Sequence, residues 1–86
     1  MERHHETELA ILLEKLVDNG FIEVGWDRIY RWYGQERLSK RSYKDFYERI
    51  EDAANQKGIA VKCIENACYI VLFIDSRTSN FKEKFD

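Results

Sequence analysis

Apolar positions along this chain switch between helical and alternating periods at its glycines. Leu9, Leu12, Leu13, Leu16 and Val17 recur three and four apart and predict one buried face of a helix over residues 7–18. Glu6 and Glu8 suit the positive end of that helix, and Asn19-Gly20 stops it. On this reading His4 and His5 lie outside the helix on a solvated terminus, a metal site being their alternative use. Phe21 to Val24 sits between glycines, is too short for a helix and is β-prone. Trp26, Ile29, Tyr30, Trp32 and Tyr33 then predict a helix over residues 26–33, packed on the core, with Arg28 and Arg31 projecting outward. Stacking on nucleic acid is the alternative use of one of these rings.

From Leu38 to Ile74 the pattern reads as a long helix, a glycine break and a β-hairpin. Ser39 can cap the helix with its hydroxyl, which places Leu38 and Tyr43 at the two positions of a hydrophobic staple. A start at Ser42, with Asp45 at capping-box spacing, would lose that staple. Tyr43, Phe46, Tyr47, Ile50, Ala53 and Ala54 form the predicted buried stripe, and Gly58 ends the helix. Ile59 to Ile64 alternates, and Cys68 to Ile74 is apolar on both faces, as a central strand would be. Its second neighbour is then expected to be Phe21 to Val24. Glu65-Asn66 is the expected two-residue turn, which sets Cys63 opposite Cys68. The pair reads as two reduced, half-buried thiols acting as small hydrophobes, with a disulfide as the alternative; zinc is disfavoured for want of a second ligand pair. Beyond Asp75 the chain turns polar, so the expectation is one domain over residues 1–75 and a flexible tail over 76–86. Phe81 and Phe85, four apart, could form a helical turn against a partner.

Composition adds limits. A chain of 86 residues with 44% apolar and 14% aromatic content can build one modest core. No apolar run is long enough for a membrane span and the charged start lacks a signal-peptide pattern, so a cytoplasmic setting is expected. No phosphate-binding glycine loop, metal-ligand cluster or supported nucleophile is present, so neither an enzyme nor a cofactor is expected. The net charge of −2 hides a division. Residues 1–27 carry two basic and seven acidic side chains; residues 28–49 carry seven basic and three acidic.

The predicted order of helix, strand, helix, helix, strand, strand, with an aromatic second helix, a serine-capped third helix and a closing hairpin, resembles the winged-helix superfamily. The resemblance spans about Thr7 to Ile74. It implies an α+β fold with three helices packed on a small three-stranded antiparallel sheet, and a DNA-binding protein, often dimeric, in transcription regulation. The third helix would be the recognition helix. Its matching residues make Arg41 and Lys44 the expected contacts to duplex DNA, with Arg37 and Lys40 at the helix entrance and Arg28 and Arg31 flanking. Many members bind proteins instead, so a protein-interaction module or a homodimer is the second expectation. Asp45 and Glu48, read as sharing the exposed side with Arg41 and Lys44, and Glu65 at the turn weigh against DNA, the alternative being a solvated face with intrahelical ion pairs.

Overall fold

The computed structural model describes residues 1–84. It is an α+β domain in which α1 (Arg3–Asn19), β1 (Phe21–Gly25), α2 (Trp26–Tyr33), α3 (Lys40–Lys57), β2 (Val61–Glu65) and β3 (Tyr69–Ile74) follow in order. A 3-10 turn at Asp75–Arg77 and a short helix, α4 (Phe81–Lys84), complete it. The sheet is antiparallel in the order β1-β3-β2, so the strand that is apolar on both faces is central. Phe21 pairs with Phe73 and Val24 with Ile70, as the β-prone segment between glycines predicts.

Glycine and serine set the boundaries. Gly20, Gly34 and Gly58 close α1, α2 and α3 with φ of 87°, 63° and 67°. Ser39 Oγ accepts a hydrogen bond from Ser42 N at 3.2 Å, which fixes the start of α3 at Lys40. At its other end, Ile59 N donates to Ala54 O at 3.0 Å. This i→i−5 bond turns Ile59 into part of the helix stop and delays β2 to Val61.

The core joins Leu9, Leu12 and Leu16 of α1 to Trp26, Ile29 and Trp32 of α2, to Phe46 and Ile50 of α3, and to the inner face of the sheet. Ile22, Val24, Ile70, Leu72 and Ile74 supply that face.

Four expectations are corrected. First, α1 begins at Arg3, so His4 and His5 are helical. The backbone N–H groups of His5 and Glu6 donate to Glu2 O at 3.0 Å, and Met1 packs against the core edge. Second, the hairpin register differs from the expected one. Ile64 pairs with Val71 and Cys63 with Leu72, leaving Cys68 in the turn and both thiols free and exposed. The cause is Asn66: its Oδ1 accepts from the N–H groups of Cys68 and Tyr69 at 2.8 and 2.9 Å. That moves the turn two residues on from Glu65-Asn66. Trp26 then clamps it, donating from N to Cys68 O and from Nε1 to Asn66 O. Third, only Phe46, Ile50 and Ala54 of the α3 stripe are buried; Tyr43 and Tyr47 are 45% and 62% exposed. Fourth, Asp45 is not on the exposed side of α3 but half-buried, as described below.

Past β3, Arg77 lies over Gly20 and donates from Nη1 to Asp18 O at 3.2 Å. Phe81 is in α4, and Phe85 lies outside the described residues. Among the described residues no helix is long and apolar enough to cross a membrane.

Candidate nucleic-acid interface

The turn between α2 and α3 and the first turn of α3 carry the densest positive charge. Residues 35–44 hold Arg37, Lys40, Arg41 and Lys44 against Glu36 alone. Gln35 N donates to Tyr30 O at 3.0 Å and its Oε1 accepts from Ser39 N at 3.1 Å, so the connection is held at both ends. The four cations are exposed. Among the described residues Arg37, Lys40 and Arg41 have no ion-pair partner, and Lys44 reaches Glu48 only at 3.9 Å.

The first turn of α3 contains no acidic residue. Lys40 and Arg41 therefore sit at the positive end of the helix macrodipole, where a cation is disfavoured by about 0.3–1 kcal/mol. Free N–H groups and two cations at one helix start suit an external anion better than they suit the isolated helix.

Of the remaining cations of residues 28–49, Arg28 and Arg49 are tied to carboxylates within the fold. Asp45 turns toward α2, where its Oδ2 accepts from the Tyr33 hydroxyl at 2.7 Å and from Arg49 Nε at 2.8 Å. Arg49 Nη1 also reaches Glu6 Oε2 of α1 at 3.3 Å. The hydrogen bond from Arg49, aided by Tyr33 and opposed by partial burial, holds the Asp45 carboxyl below its usual range. Burial, then the bond to Asp45, pushes the Tyr33 hydroxyl well above its usual range. Arg28 binds Glu8 of α1 and lies 5.7 Å over the Trp32 ring. Burial would raise the Glu8 carboxyl, but the bond to and charge of Arg28 outweigh it and lower it.

The structure thus divides the six expected contacts. It brings Arg37, Lys40, Arg41 and Lys44 together. Arg28 is committed to α1, and Arg31, though exposed, borders a hollow beside Met1, Glu2 and His5. Tyr43 and Tyr47, expected in the core, stand exposed on the same helix as Arg41 and Lys44. Trp26 lies beside Tyr43 with ring centroids 5.7 Å apart, which accounts for the half-buried side of that ring. Only the width of the predicted stripe hinted at their exposure. An eighteen-residue helix with six apolar positions on one side needs more sheet than three short strands offer.

Among the described residues the one cluster of possible metal ligands is Glu2, His4 and His5, whose ligand atoms lie within 4.8 Å of one another. His4 already pairs with Glu2 at 3.4 Å, on the exposed first turn of α1. No known protein family, curated protein or solved structure matches the chain.

Proposed function

We propose that this is a small winged-helix DNA-binding domain, a transcriptional regulator that meets duplex DNA through the start of α3. The observation that carries this reading is the exposed set Arg37, Lys40 and Arg41, without an ion-pair partner among the described residues, at the positive end of a capped helix. Asp45, the nearest acidic residue on α3, is drawn away by Tyr33 and Arg49. The element order and the central β3 agree with the winged-helix arrangement. Here α3 serves as the recognition helix and the Asn66 turn as a short wing tip, with Glu65 at its base. Arg37 and Lys40 meet phosphates, and Arg41 and Lys44 enter the major groove.

The test is binding to random duplex DNA titrated with salt. Affinity should fall linearly on a double-logarithmic plot, with a slope close to the number of phosphates neutralised. Absence of binding at about 50 mM salt to any duplex overturns the reading.

A protein-interaction module without DNA binding is the second reading. Its support is apolar surface that three short strands leave bare: Phe21 and Ile64, on the sheet face away from the helices, are 60% and 65% exposed.

A further inference from the structure

The core is open along one side, between α3 and β2. Phe46, Ile50, Ile70 and Leu72 floor a hollow of about 230 Å³ there, and Tyr47 of α3 and Cys63 of β2 also line it. A side chain entering this opening would bury against residues that already belong to the core.

The strand beside the hollow is also open. β2 is an edge strand, paired only with β3. Asn66 N donates to Tyr69 O, so Asn66 and Tyr69 are a hydrogen-bonded pair of the antiparallel ladder. Such pairs alternate, and so the backbone groups of Val61, Cys63 and Glu65 point away from β3. Among the described residues these groups have no hydrogen-bond partner elsewhere in the chain. The same three residues line the hollow. Open backbone and open core therefore share one edge, the arrangement that accepts an added strand.

A second copy of this chain fits that edge poorly. Two β2 strands related by a two-fold axis keep their faces aligned only in registers that pair like faces with like. Centring on Cys63 or on Ile64 lays each Glu65 carboxylate over the apolar hollow of the other copy. Centring on Lys62 opposes like charges. The charge at the rim points elsewhere. Glu51 and Glu65 line the hollow without an ion-pair partner among the described residues, while Lys62 is taken by Asp75 at 3.3 Å.

We propose that this edge takes an extended peptide segment of a partner protein, added as a fourth strand beside β2. Its alternate apolar side chains enter the hollow, and flanking Lys or Arg meets Glu51 and Glu65. The site lies beside the cationic start of α3 and does not depend on the DNA reading.

The test pans a random heptapeptide phage library against the full chain and against Cys63→Pro. The Cys63 N–H faces the free edge, so proline removes a donor to the added strand and no bond of the β2–β3 ladder. Tyr47→Glu is the second variant; that side chain is mostly exposed, so its fold should survive. Circular dichroism checks both. Enriched sequences should alternate apolar residues and carry Lys or Arg. A synthetic peptide made from them should shift the amides of residues 61–65, and either folded variant should weaken it about tenfold or more. Three outcomes overturn the proposal. They are enrichment no greater than on the folded variants, peptides that bind both variants undiminished, and self-association that Cys63→Pro abolishes.

Discussion

Arg28 and Arg41 lie thirteen positions apart in one stretch of high positive charge, yet the fold uses them in opposite ways. Arg28 crosses to Glu8 and covers Trp32; Arg41 touches no carboxylate among the described residues. Arg49 and Lys40 differ in the same manner. The acidic segment 1–27 explains the division, because α1 brings Glu6 and Glu8 to the cations packed against it. The start of α3 lies out of their reach. A charge count along the sequence therefore overstates the number of free cations, and ion-pair geometry selects which of them stay unpaired among the described residues.

The largest effect expected from that difference is on binding. Replacing Arg41 and Lys44 together by alanine should weaken DNA binding by about 1–3 kcal/mol for each base edge that one of them reads. Unfolding free energy should move by less than about 0.5 kcal/mol, since neither side chain is packed. If both touch phosphate only, the weakening should be equal on all sequences and the salt slope should fall by about one for each residue. A drop in melting temperature in place of a drop in affinity would place these cations with Arg28.

The converse substitution, Arg49→Ala, should leave DNA affinity unchanged and cost about 1 kcal/mol of stability. Its partners are partly exposed, which keeps the figure low. The pH dependence of stability reports the same network. Asp45 is depressed in the fold, so its contribution is complete above about pH 4 and is lost as pH falls through the folded value. Tyr33 is raised, so its contribution is complete below about pH 10 and is lost as pH rises toward the folded value. Denaturant titrations of Arg49→Ala across pH should show a shallower acid limb than the wild type. An unchanged limb would mean that Asp45 owes its depression to something other than Arg49.

How far the sequence foretells all this depends on the range of the interaction. Helix stops at Gly20 and Gly58 and the cap at Ser39 are local, and they appear where the sequence places them. The central position of β3 follows from its two apolar faces. The hairpin register was less legible. It turns on two bonds to one Asn66 side chain, which compete with a two-residue turn of ordinary composition. The locks on Arg28 and Asp45 were not legible, because Glu8 and Tyr33 reach them from other helices. Tyr43 and Tyr47 misled for a different reason: helical period marks a face, and burial depends on what faces it. Opposite them β2 offers Cys63 and Glu65, too small or too polar to close the gap.

The smallest effect is the sharpest test of why the start of α3 is cationic. A basic residue in the first helical turn opposes the macrodipole, whereas an acidic one there is favoured. Arg41→Glu should therefore stabilise the folded chain by about 0.3–1 kcal/mol at low ionic strength, and the gain should shrink as salt screens it. The same substitution turns a carboxylate toward the negatively charged duplex and should remove DNA binding altogether. Lys44→Glu is the control. It lies beyond the first turn and next to Glu48, so it should lose binding without the gain in stability. A stabilised Arg41→Glu that no longer binds DNA would show that the helix start gives up stability for its partner. A destabilised one would show that Arg41 has a structural contact of its own, and would move it to the same side of the comparison as Arg28.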